Sequence, residues 1–158
     1  MTDKPNQRKG EDSNTKVGNL FERASLKYFK EVEKINLDMK FKLSVGFREH
    51  VKKDRKFDLG SSQNKIIVEC KSHTWTEGNN APSAKMTAWM EAMLYFAIAP
   101  KEYRKVLFVK CDKNTKTQLS LADYFIKTRG HMIPVGVEII ELDEASGTIR
   151  KAFPVSSS

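Results

Sequence analysis

The chain has 158 residues and a formal net charge of +8, with an isoelectric point near 9.5. That length bounds it to one domain with a real core, and the charge points to a polyanionic partner, nucleic acid first. Two cysteines, Cys70 and Cys111, are too few for a disulfide framework and lack zinc-ligand spacing. There is no run apolar enough to cross a membrane and no signal-peptide pattern, so a cytoplasmic protein with reduced thiols is expected.

Residues 1–16 are polar, charged and nearly free of apolar side chains. They predict a disordered tail making loose electrostatic contacts to nucleic acid, ahead of a single domain over 17–155. Residues 17–36 read as a helix, because Val17, Leu20, Phe21, Ala24, Tyr28, Val32 and Ile35 recur at helical spacing. Asn19 with Glu22 three residues on fits a capping-box start. Glu22 has a second reading: Leu26 and Phe29 lie on its side, and a carboxylate flanking a buried face wants a partner.

Residues 39–47 alternate, with Met39, Phe41, Leu43, Val45 and Phe47 on one face and lysines on the other, as in a half-buried strand. The segment 48–56 reads as a basic connection. Its Lys52, Lys53 and Arg55 either lie along phosphates or form a solvated turn.

Residues 56–60 and 66–71 predict two short strands joined by a turn over 60–64. With Gly60 opposite Lys65, Phe57, Leu59, Ile66, Val68 and Cys70 share an apolar face. Asp58, Ile67, Glu69 and Lys71 then share the other. Asp58 lies diagonally from Glu69, at roughly 7–8 Å, close enough for both to reach one cation. Two carboxylates on a hairpin make a hard-oxygen site suited to Mg²⁺, and an adjacent ammonium can orient water or neutralise phosphate charge. The alternative is a solvated surface hairpin.

The loop 72–82 carries His73 and Trp75. Trp75 either stacks on a base or caps the core, and His73 can touch a phosphate. A second helix opens at Pro82 or Ser83 and runs to about Ala99, with Met86, Trp89, Met93, Phe96 and Ala97 as its apolar stripe. Lys85 sits in its first turn, where a helix start favours anions, so it is either a phosphate contact or a solvated lysine. Residues 106–109 read as an internal strand. Ser120 with Asp123 marks a helix start, and Gly130 with Pro134 its end. A strand over 135–142 follows, and 148–153 can add an edge strand.

The order is αβββαβαβ, which implies an α/β fold with a mixed central sheet flanked by helices. Asp58 followed by Glu69-Cys70-Lys71 resembles the active-site signature of the PD-(D/E)XK nuclease superfamily, which includes restriction endonucleases, Holliday junction resolvases and repair nucleases. The resemblance spans about 17–142, and Phe57 stands where the family name has proline. It implies a restriction-endonuclease-like fold and Mg²⁺-dependent hydrolysis of phosphodiester bonds, with Mn²⁺ able to substitute. It also implies Asp58 and Glu69 as metal ligands, Lys71 as the catalytic lysine, and Glu22 as a first-helix ligand. Lys85 matches a polar or basic position on the second helix, and small domains of this kind often act as homodimers. The expected activity is that of a DNA endonuclease, of restriction type or structure-selective like a junction resolvase. The alternative is a nucleic-acid-binding module that keeps the fold without the chemistry.

Overall fold

The computed structural model describes residues 13–155. Its elements are α1 (Ser13–Glu31), β1 (Asp38–Arg48), β2 (Val51–Ser61), β3 (Ile66–Lys71), α2 (Ser83–Ile98), β4 (Arg104–Lys110), α3 (Leu121–Arg129), a short 3₁₀ turn (Gly130–Met132), β5 (Val137–Leu142) and β6 (Ile149–Phe153). The six strands form one mixed sheet in the order β1-β2-β3-β4-β5-β6. The first three are mutually antiparallel, β3, β4 and β5 run parallel, and β6 returns antiparallel.

The parallel centre explains the apolar runs. Strands β3 and β4 are covered on both faces, so Ile66, Ile67 and Val68 and then Val106 to Val109 are all buried. Met86, Trp89, Met93 and Phe96 of α2 pack with Leu121, Ala122 and Phe125 of α3 against Ile67, Leu107, Val109 and Ile139. On the opposite face, Phe21 and Phe29 of α1 pack against Leu59, Ile66, Val68, Val106, Phe108 and Ile140. Both crossover helices share one face because successive right-handed crossovers step in one direction across the sheet.

Helix α3 starts as the sequence indicates. The Ser120 side chain accepts from the Asp123 N–H, and Asp123 caps Ser120 in return. Arg150 of β6 ties the sheet edge to that helix start, donating to Asp123 at 2.8 Å and lying 3.0 Å from Glu141.

Several boundaries differ from the sequence reading. Helix α1 begins at Ser13, so 13–16 are helical, while 1–12 lie outside the described residues. Asn19 is therefore inside the helix and caps nothing. Leu20 and Val32 are exposed, and the buried row is Phe21, Ser25 and Phe29. In α2, Ala97 faces outward and Ala92 takes its place in the core.

The largest difference is at 48–56. Residues 51–56 belong to β2, and only Glu49 and His50 form the turn. Charged side chains hid the strand, because the ladder to β1, not a buried face, holds it. Cys70 and Cys111 are free thiols. Among the described residues no helix is long and apolar enough to cross a membrane.

Candidate functional site

The β2–β3 pairing covers three residue pairs, Leu59↔Val68, Gly60↔Ile67 and Ser61↔Ile66. The register is two residues away from Gly60 opposite Lys65. One further step would set Asp58 against Glu69, but the strands part there. Asp58 fills the opening with its side chain: the Cys70 N–H donates to its Oδ2 at 2.8 Å.

The expected hairpin faces are also corrected. Phe57 packs with the α2 side and stacks on Phe96, whereas Leu59 packs with the α1 side. Ile67 joins Phe57, away from Ile66 and Val68. Strand alternation thus breaks at Asp58. Lys40 stands across from it between the pairs Met39↔Leu59 and Phe41↔Phe57, with φ +53°. A lysine in left-handed backbone costs about 1–2 kcal/mol, which the ladders on either side offset. Gly60 lets the two strands close, since a Cβ there would meet the Phe41 ring at 2.4 Å.

This irregular fork gathers three acids. Asp58 is the shared neighbour: it lies near enough to both Glu22 of α1 and Glu69 of β3 to push their carboxyls up. Glu69 is 2% exposed. Burial first, then the Asp58 charge and its hydrogen bond, push the Glu69 carboxyl up to about 8, against the pull of Lys71 and Arg55. Glu22 is raised for the same leading reasons, opposed by Lys40 and Lys71. Lys71 thus pulls both glutamates toward the charged form, without an ion pair to either among the described residues. Like charges this close cannot all ionise unless a proton or a cation intervenes.

Among the described residues, no three His, Cys, Asp or Glu side chains form a ready-made metal cage. The acids are linked through Asp58 in the middle. Mg²⁺ does not need a protein cage, because it keeps several waters and takes one or two carboxylates. The donor chemistry of the fork, hard oxygens crowded enough to share protons, fits such an ion.

Of the other residues singled out by sequence, Arg55 joins the fork as a partner of Glu69. Its Nη2 lies 3.4 Å from Glu69 Oε1, and its guanidinium sits 4.0 Å over the Tyr95 ring. On the arm that β1 and β2 form beyond the fork, Lys52 pairs with Glu49 at 3.3 Å near the turn, and Lys53 is exposed opposite Val45. Both are well up the arm from the acids.

His73 lies under α2, where Trp89 Nε1 donates to its Nδ1 at 2.9 Å. Trp75 is held by Asp112, which accepts from its backbone N–H at 2.7 Å and from its indole N–H at 2.9 Å, and Tyr124 meets its ring edge-on. That is a core-capping placement. Lys85 is exposed in the first turn of α2, with no ion pair among the described residues.

Sequence reasoning did not find Lys40 or Tyr95. Lys40 was open to discovery, since pairing residues 39–47 with 51–59 sets it against Asp58. Tyr95 carried no such signal. No protein-family model, curated protein or solved structure matches this chain.

Proposed function

We propose that the chain is a Mg²⁺-dependent DNA endonuclease of the PD-(D/E)XK type, with a restriction-endonuclease-like fold. One observation carries this reading: the Cys70 N–H holds the Asp58 carboxylate in the opening beside Glu69, where it raises the carboxyls of both Glu69 and Glu22 while Lys71 lowers them. Asp58 and Glu69 would hold the ion, with Glu22 completing the set. A bound Mg²⁺ supplies polarisation of the phosphodiester and a water of lowered pKa.

The protein's own groups do the rest. The buried fork limits water around Glu69. Asp58, fixed by the Cys70 N–H, keeps its carboxylate in the opening. Lys71 places an ammonium where it orients the attacking water or neutralises charge on the phosphate. Arg55, braced on Tyr95, fixes the Glu69 carboxylate.

The Arg55–Glu69 pair also favours a second reading. A guanidinium can neutralise Glu69 in place of a cation, as in a binding module that has kept the fold and lost the reaction. Incubation with supercoiled plasmid and with branched DNA, in Mg²⁺ and then with chelator, separates the two. Chelator-sensitive cutting abolished by Glu69→Ala supports the nuclease. Cutting that survives Glu69→Ala rejects the site, and salt-dependent binding without cutting supports the module.

A further inference from the structure

On the arm formed by β1 and β2, Lys42 stands directly opposite Lys56. Both are exposed, and among the described residues neither has an acid within ion-pair distance. Like charges facing across a ladder destabilise it. Their neighbours Phe41, Leu43 and Phe57 pack toward α2, so alternation sends both lysines to the opposite face. Asp54, opposite Ser44, is the acid that follows on this face. Toward the fork comes Lys40, set across from Asp58 between the pairs Met39↔Leu59 and Phe41↔Phe57. The row of positive charge therefore ends at the carboxylates.

We propose that this lysine face is a docking track for the phosphate backbone of a nucleic-acid duplex, leading it to the fork. The assignment deepens the nuclease reading and rests on it for what happens at the acids, but not for binding. Charge complementarity selects the partner. The face of Lys42, Ser44, Asp54 and Lys56 carries no aromatic platform of the kind that single strands stack on. That favours a duplex read through its backbone.

The test is binding of a short fluorescent DNA duplex by the full chain across a salt series without divalent cation, so that cleavage plays no part. The K42Q/K56Q variant should lose roughly tenfold in affinity at low salt. Its plot of log affinity against log salt should flatten by about 1.8, because two phosphates are no longer neutralised. K27Q/K30Q, which removes the same charge from the exposed side of α1, should change the slope much less. The charge-keeping K42R/K56R variant should bind like the parent.

Equal losses in K42Q/K56Q and K27Q/K30Q, or no loss in either, would overturn the track. So would weakened binding by K42R/K56R, or a single-stranded oligonucleotide that binds as tightly and loses as much. If the parent cuts DNA while K42Q/K56Q binds normally, the track fails and the nuclease reading stands. If nothing is cut but K42Q/K56Q binds with the flattened slope, the reverse holds.

Discussion

The Asp58 carboxylate occupies the place of a ladder bond, taking the Cys70 N–H at 2.8 Å where β2 and β3 separate. One side chain thus ends the hairpin and centres the acidic cluster. Asp58→Asn keeps an acceptor for that N–H and removes the charge crowding Glu22 and Glu69. Asp58→Ala leaves the donor without its partner, at about 1–3 kcal/mol. Denaturant unfolding at pH 8 should rank Asn at or above the parent and Ala below Asn. On the nuclease reading, plasmid cleavage should fall at least about a hundredfold in both, since each removes the carboxylate proposed to hold the metal. An Ala variant as stable as Asn would show that the Cys70 bond contributes little.

Glu69 gives stability a defined pH dependence. Its folded-state value of about 8 lies above its ordinary 4.5, so the folded chain holds the extra proton between those values. Stability from this group is fully present below about pH 4.5 and is lost as pH rises through 8. Glu22, also raised by burial and the Asp58 charge, adds a contribution of the same sign. Chemical unfolding from pH 5 to pH 9 should show a decline of a few kcal/mol in the parent. Glu69→Gln should flatten most of it. If Glu69 holds Mg²⁺ as proposed, the decline should shrink with the cation present, because it favours the ionised carboxylate. A parent curve that stays flat from pH 5 to pH 9 would mean that Glu69 ionises normally.

What could be read in advance follows from which interactions are local. The Ser120–Asp123 cap joins residues three apart, and both appear together in the sequence. The runs at 66–68 and 106–109 are apolar because both faces of those strands are covered, so composition alone marks them. The pairing of Asp58 and Glu69 was legible as a proximity, although their true relation is across the fork and not diagonal. The β2 arm was not legible, since Lys52 to Lys56 have no apolar period. Nor was the split between Phe57 and Leu59, which depends on the left-handed Lys40 on another strand. The Arg55–Glu69 pair was hidden because it joins two strands and leans on a third element, with Tyr95 of α2 beneath the guanidinium.

His73 and the buried Trp89 form a part-buried polar contact just beyond Lys71 in the chain. The indole N–H donates to His73 Nδ1 at 2.9 Å, and the rings stack at 6.5 Å. An accepting Nδ1 fixes the neutral tautomer with the proton on Nε2. Trp89→Phe removes the donor and shrinks a fully buried side chain, so unfolding should cost about 2–4 kcal/mol less. His73→Ala should destabilise less, because Trp89 keeps its packing against Phe125. NMR of the His73 ring should show the Nε2-protonated form in the parent at pH 8. An Nδ1-protonated form would exclude the contact.

Gly60 and Phe41 set how closely β1 lies against the hairpin. A methyl at Gly60 would stand 2.4 Å from the Phe41 ring and 2.9 Å from its Cβ, so the ring must move and cannot simply swing its tip. Gly60→Ala should destabilise by about 1–3 kcal/mol through overpacking. Phe41 also meets Tyr103 edge-on, so its displacement disturbs the joint between arm and core. Phe41→Ala alone removes that packing and should also destabilise. Combined with Gly60→Ala it takes away the Cδ1 and Cγ atoms that would crowd the methyl at 2.4 and 2.6 Å, and the double variant should be more stable than the sum of the two single losses implies. Denaturant midpoints of the four chains measure the coupling. Strict additivity would mean that the close approach of Phe41 does not limit the residue at position 60.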